Sequence, residues 1–177
     1  KTLSMLTEGN VIGWFQGRME FGPRALGARS IIADSRFKDM QKKLNLKVKY
    51  RESFRPFAPS ILEEFASDYF EFASGRFSEI LPYMLLVARV KKPDKIPAVT
   101  HVDGTGRLQT VSRNINPLYY DLINKFFKIT NVPVVVNTSM NVRGEPIVNT
   151  PQHAFNMLTK TDMDYLVMGN YIIQRQD

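Results

Sequence analysis

The stretch VPVVVNTSMN, Val132 to Asn141, decides the fold class. A run of valines interrupted only by Pro133 is the pattern of a strand covered on both faces, because a strand with one wet face alternates apolar with polar residues. Such a strand needs a layer on each side, and amphipathic helices flank it in the sequence. Upstream, Asn116 and Pro117 form an N-cap and first-turn pair for a helix that ends near Thr130, with Leu118, Leu122, Ile123, Phe126 and Phe127 as its apolar stripe. Downstream, Thr150 and Pro151 open another helix by the same logic, and Tyr165 to Met168, Gly169-Asn170 and Tyr171 to Gln174 read as a closing hairpin. Polar residues at the end of a buried strand stand where α/β sheets bind ligands, which makes Asn137, Ser139 and Asn141 candidate contacts, with Arg143, Gly144 and Glu145 behind them. An Asx- and Ser-rich turn would use the same residues.

Toward the N-terminus, Gly9-Asn10 separates a short helix from an apolar strand, Val11 to Gln16. The segment GRMEFGPRALG follows, with Gly17, Gly22 and Gly27 at five-residue intervals, and leads into a second buried strand at Ser30 to Ala33. Lys38 to Leu46 reads as a short basic helix. The prolines of YRESFRPFAPS force an extended backbone before a predicted core helix from Pro59 to Phe70, whose stripe is Ile61, Leu62, Phe65, Ala66, Tyr69 and Phe70. Met84 to Val90 is a strand candidate, and Ala98 to Val102 and Leu108 to Ser112 flank Asp103-Gly104-Thr105-Gly106 as a predicted hairpin. Together these give one α/β domain with a twisted mixed sheet and helices on its faces.

The 177 residues suit a single domain, and 44% hydrophobic against 23% charged residues exclude a disordered chain. Cysteine is absent, which removes disulfides, zinc–thiolate sites, thiol nucleophiles and iron–sulfur clusters. Neither a membrane-spanning run nor a secretory leader is visible, so a soluble, cytoplasmic protein is expected, and a start at Lys1 predicts a domain cut from a longer chain. Residues 1–60 hold twelve Lys or Arg against five Asp or Glu, while the remaining residues hold twelve of each, so the whole net charge of +7 lies in the first third. That asymmetry calls for an anionic partner, whether nucleic acid, a membrane surface or a phosphorylated ligand.

The cations fall into two groups. Arg18, Arg24 and Arg29 lie in or just past the glycine-rich segment, where backbone N–H groups approach an anion closely and guanidinium forks grip phosphate. Lys49, Arg51 and Arg55 surround the proline-stiffened segment, and period two would put Lys49 and Arg51 on one side of a strand. Arginines set among Phe15, Phe21, Phe54 and Phe57 are not in the company of a plain solvated surface. A third cluster is HVDGTGR, His101 to Arg107: His101 and Asp103 would suit a metal pair, a base with its orienting carboxylate, a substrate contact or a hydrogen-bonded turn. The chain has no GxxxxGK[ST], GxGxxG, GxSxG or HExxH signature and no helix-turn-helix or aromatic RNA-binding signature.

GRMEFGPRALGARSI, VKYRESFRPFAPSIL, THVDGTGRLQTV and NTSMNVRGEPIV, in that order, resemble the C-terminal domain of the O-carbamoyltransferases that decorate nodulation factors and antibiotics. The likeness runs from about Val11 to Met168. It implies a YrdC-like fold around a basic cavity, and formation of carbamoyl-adenylate from carbamoyl phosphate and ATP with Mg²⁺. It also implies a separate N-terminal domain of the actin/Hsp70-like type, carrying an iron site, that passes the carbamoyl group to an acceptor hydroxyl. Lys49, Arg51 and Arg55 match the family's basic motif and are its catalytic candidates. Arg18, Arg24, Arg29, His101, Asp103, Arg107, Asn137, Ser139 and Asn141 are the implied substrate and nucleotide contacts, with Asp103 and Glu145 as metal candidates. Ala28 stands where the family often has Asn, Met140 where it has Phe, and Asn131 where it has Gly. The alternative is a non-catalytic basic module that binds RNA or nucleotides; nucleic acid and membrane partners are otherwise not expected.

Overall fold

The two faces of the valine strand belong to two separate cores. A computed structural model describes residues 1–72 and 79–176. In it β7 (Val134–Ser139) sits in the middle of a nine-stranded mixed sheet. Val134 and Val136 pack on one side with Met40, Leu44, Ala154 and Leu158, and Val135 packs on the other with Tyr119, Leu122, Ile123 and Phe126. The alternation is apolar against apolar because both faces are dry.

The strands are β1 (Ile12–Phe15), β2 (Arg29–Asp34), β3 (Ala58–Leu62), β4 (Phe70–Glu71), β5 (Leu86–Val90), β6 (Thr105–Val111), β7, β8 (Tyr165–Met168) and β9 (Tyr171–Gln174). Their order across the sheet is β4-β5-β6-β3-β7-β2-β1-β8-β9. The pairs β1–β8 and β3–β6 are parallel; the others are antiparallel. The helices are α1 (Thr2–Thr7), α2 (Met40–Lys47), α3 (Ala66–Tyr69), α4 (Pro117–Thr130) and α5 (Pro151–Lys160). α2 and α5 cover one face, α1 and α4 the other.

Both long helices begin as the sequence requires: Asn116 accepts from the Tyr119 N–H and Thr150 from the His153 N–H, with proline at the first helical position. α4 ends on Asn131 in the left-handed region, φ 57°, the conformation that a glycine would adopt at no cost. The closing hairpin is formed as expected.

Two expectations fail. The helix predicted over Pro59 to Phe70 is instead β3, followed by a short helical turn and α3. All five β3 residues are buried between β6 and β7, and an apolar run covered on both faces carries no periodicity that separates strand from helix. The hairpin predicted around Asp103 to Gly106 has only one strand. Ala98 lies in a helical turn, and the antiparallel partner of β6 is the upstream β5, with Leu86 opposite Leu108. The turn itself is real: the Gly104 N–H donates to the His101 carbonyl at 2.9 Å, and His101 N–H to Thr105 at 2.8 Å.

Candidate basic cleft

The C-terminal end of β7 lies beside the first residues of β3 and close to the start of β6, and a cavity of about 120 Å³ opens there. Arg24, Arg51, Phe57, Arg107, Asn137 and Ser139 are among its lining residues, and none of the lining residues is Asp or Glu. Three guanidinium groups thus meet from the glycine-rich loop, the segment after α2 and the start of β6. A second lobe of about 130 Å³ shares Pro56, Phe57, Ala58 and Arg107 and adds Val87 and His101. Burial, then the Arg24 charge, lowers the proton affinity of Arg107; burial, then Arg55, does the same for Arg51. Both stay charged at neutral pH, in a cavity with no carboxylate in its lining, although Glu52 acts on Arg51 from outside it. His101 is held below the ordinary imidazole range, chiefly by burial, with Asp103 opposing.

Each wall of the cleft is fixed by buried polar residues. Asn45, fully buried on α2, accepts from Arg51 Nε at 2.6 Å and donates to the Ser53 and Arg55 carbonyls at 3.1 and 2.8 Å, while Arg51 lies over the Phe57 ring. The glycine-rich loop is gathered by Glu20, whose Oε1 accepts from the Leu26 and Ala28 N–H groups at 2.6 and 2.7 Å. Gln109 on β6 donates to the Leu26 carbonyl at 2.9 Å and accepts from Ser60 Oγ at 2.6 Å and Asn137 Nδ2 at 2.9 Å; Asn137 Nδ2 also donates to the Ala25 carbonyl at 3.1 Å. None of Glu20, Asn45, Ser60 and Gln109 was a candidate from sequence. For Asn45, Ser60 and Gln109 the only signal there is a polar residue at a position that its element buries, and the apolar run of β3 does not separate strand from helix; Glu20 lies in the loop and leaves none.

Other predicted residues have different work. Lys49 is not on a strand: it follows α2, is only 4% exposed, and donates to the Asn141 carbonyl and Oδ1 at 2.9 and 2.8 Å and to the Ser139 carbonyl at 2.5 Å. Its three protons are used, so it ties the NTSMN turn down from behind. Burial, then Arg51, pushes its pKa down to about 7. Ser139 in turn donates to Asn141 Oδ1 at 2.6 Å. Arg29 is buried on the Phe15 ring, 3.6 Å from its centroid, and donates to the Gln16, Gly17 and Ala28 carbonyls, which makes it a brace for the glycine-rich loop. Arg55 is exposed and pairs with Glu52 at 2.8 Å; Arg143 meets the same carboxylate at 3.9 Å. Arg18 lines a separate cavity with Glu20, Ala28 and Tyr83. Of the four phenylalanines expected around the cations, Phe15 and Phe57 are buried and stacked, whereas Phe21 and Phe54 are exposed.

The metal candidates do not come together. Asp103 is exposed and accepts from the Thr105 N–H and hydroxyl within its own turn, and Glu145 lines a different cavity under α5. Among the described residues no three His, Cys, Asp or Glu side chains are grouped to hold a metal ion. That cavity under α5 is larger, about 490 Å³, but its lining is mostly apolar and holds no arginine.

Residues 3–175 match the family model described as carbamoyltransferase C-terminus. The chain belongs to this family. The carbamoyltransferase C-terminal domain is 51% identical over 97% of its length to nodulation protein NolO of Bradyrhizobium diazoefficiens, and 41% identical over 80% to nodulation protein U of Sinorhizobium fredii. It spans 31% and 25% of those relatives, and thus about a third or less of their length. The solved structure of full-length HypF in its phosphate- and nucleotide-bound form superposes with a TM-score of 0.69 at 19% identity, covering 99% of this domain and 25% of that chain. Sua5 of P. abyssi, complexed with L-threonine, gives 0.65 at 14% identity, covering 95% and 45%. These likenesses bear out the YrdC-like mixed-sheet fold. Among the described residues no helix is long and apolar enough to cross a membrane.

Proposed function

We propose that this domain binds carbamoyl phosphate beside ATP and forms carbamoyl-adenylate for transfer to a hydroxyl acceptor held by another part of a longer protein. The observation that carries the reading is the meeting of Arg24, Arg51 and Arg107 in one small cavity free of carboxylates. Hydrolysis of carbamoyl phosphate releases inorganic phosphate and carbamate. A carbamate oxygen then attacks the α-phosphorus of ATP, and pyrophosphate leaves with the electron pair of the broken P–O bond. The arginines offset the charge of two anions that repel each other, and a site walled by Phe57 and Met84 slows loss of carbamate to water. Ser139, fixed together with Asn141 by Lys49, lines the edge at the end of β7. Asp103 and Glu145 stand apart, so magnesium would be held chiefly by the nucleotide phosphates and would offset their charge; iron and the acceptor would belong to the proposed N-terminal domain. HypF, of the same fold, is a structure with bound phosphate and nucleotide.

Calorimetric titration with ATP, with and without carbamoyl phosphate, tests this. The expected result is saturable binding of both, weakened by about 1.5 to 3 kcal/mol in Arg51→Ala or Arg107→Ala, the usual worth of a hydrogen bond to a charged group. No binding of either ligand, together with RNA affinity that falls steeply with salt, would replace the reading with a non-catalytic RNA-binding module.

A further inference from the structure

Two atoms in the wall of the cleft are buried and have no hydrogen-bond partner: Arg107 Nε, a donor, and Asn137 Oδ1, an acceptor. A buried polar atom left unpaired is costly, so a lone pair of opposite kinds in one cavity calls for a ligand that supplies both complements. The orientation of the Asn137 amide is not free. Asn137 is 1% exposed, and both hydrogens of Nδ2 go to oxygens that can only accept there, the Ala25 carbonyl and Gln109 Oε1. Gln109 is itself locked, because its own Nε2 must face the Leu26 carbonyl and its Oε1 takes the Ser60 hydroxyl. A flipped Asn137 would set oxygen against two oxygens, so Oδ1 is fixed as an unpaired acceptor on a residue that lines the cavity together with three arginines.

An acceptor in a ring of arginines gains nothing from a fully ionised phosphoryl group and is matched by an anion that also carries an N–H. We infer that Asn137 Oδ1 and Arg107 Nε read the amide end of the acyl phosphate, taking an N–H and the carbonyl oxygen respectively, and that Gln109 with Ser60 is the positioning pair that makes the site select a carbamoyl over an acetyl group. This rests on the proposed use of carbamoyl phosphate and adds to it residues and a basis for selectivity. Acetyl phosphate matches carbamoyl phosphate in charge and nearly in shape, but its methyl group leaves Oδ1 unpaired. A site built to hydrogen-bond a group rejects the analogue without it far more strongly than size alone allows.

Competition calorimetry with carbamoyl phosphate, acetyl phosphate and inorganic phosphate on the 177-residue chain tests the inference. The parent is expected to favour carbamoyl over acetyl phosphate by about 10- to 100-fold, the range set by one buried acceptor left unmade. In Gln109→Leu the preference should fall below about threefold, while inorganic phosphate loses less affinity than the preference does, because loss of the Gln109 bond to the Leu26 carbonyl of the glycine-rich loop is felt by every anion alike. Ser60→Ala, a milder change, should lower the preference in the same direction and covers the case in which Gln109→Leu does not fold. Equal affinity of the parent for the two acyl phosphates, with phosphate still bound, overturns the selectivity and leaves the proposed function standing. Loss of the preference in step with phosphate affinity in both variants also overturns it, because a general disturbance of the cavity would then explain the result. If neither acyl phosphate nor phosphate binds the parent, the proposed function fails and this inference with it.

Discussion

Lys49 shows how a residue's chemistry changes between sequence and fold. Its place beside Arg51 made it a phosphate ligand by pattern, yet the folded chain spends its protons on Ser139 and Asn141. With a folded pKa of about 7 against about 10.4 for an unfolded lysine, the unfolded chain binds the extra proton between these values. Stability therefore rises as pH goes from about 7 to about 10, and the full cost of burying the ammonium is present below that window. Urea denaturation at pH 7 and pH 9.5 should show the parent gaining stability relative to Lys49→Met; parallel pH dependence in the two proteins would refute the buried-ammonium account. Arg29 gives a second test. It holds three loop carbonyls and a ring rather than a ligand, so Arg29→Ala should lose about 3 kcal/mol of stability in thermal or urea melts. The identities of Arg24, Arg51, Arg107, Asn137 and Ser139 were legible from motifs. The division of the cations into cleft-lining and bracing was not, because it depends on which carbonyls the fold brings near each one.

At the scale of elements, what could be read followed from local chemistry that tertiary packing did not override. The N-caps of α4 and α5 and the terminal hairpin all depend on a few adjacent residues, and all appear where expected. β3 was not legible, since its apolar run is fixed by partners from residues 105–111 and 134–139, far along the chain. The glycine-rich loop is intermediate. Gly27 has φ +107°, and a Cβ there would stand 2.4 Å from the Tyr119 ring, which is fully buried below the loop. Trp14 Nε1 clamps the Gly27 carbonyl at 3.0 Å. Gly27→Ala should therefore lift the loop, cost about 3 kcal/mol through backbone strain and overpacking, and weaken phosphate binding through displaced Arg24. Asn116→Ala, by contrast, removes only the α4 cap and should cost about 1 kcal/mol with phosphate affinity unchanged. A melt and a phosphate titration on both variants separate the two; unchanged anion affinity in Gly27→Ala would show that the loop does not position Arg24.

For the whole molecule, the position of the cleft follows from sheet order. β3 and β7 are neighbours and run antiparallel, and β6 lies parallel to β3, so the start of β6 lies near the end of β7 and three segments distant in sequence deliver one arginine each. Charge excess in residues 1–60 supplies Arg24 and Arg51, but Arg107 comes from the electrically balanced remainder, which composition alone would not have selected. The cleft is lined by residues of this domain, whereas the matched relatives are about three times its length or more. If activation and acceptor transfer are divided between this domain and the rest of such a protein, the two halves of the reaction should separate cleanly. The 177-residue chain is expected to catalyse exchange of labelled pyrophosphate into ATP only when carbamoyl phosphate is present, because reversal of carbamoyl-adenylate formation regenerates ATP. Arg107→Ala should abolish the exchange while leaving the melting temperature close to the parent's, and no hydroxyl compound should become carbamoylated. Exchange that proceeds without carbamoyl phosphate, or carbamoylation of a free hydroxyl by this chain alone, would show that activation and transfer are not partitioned in this way.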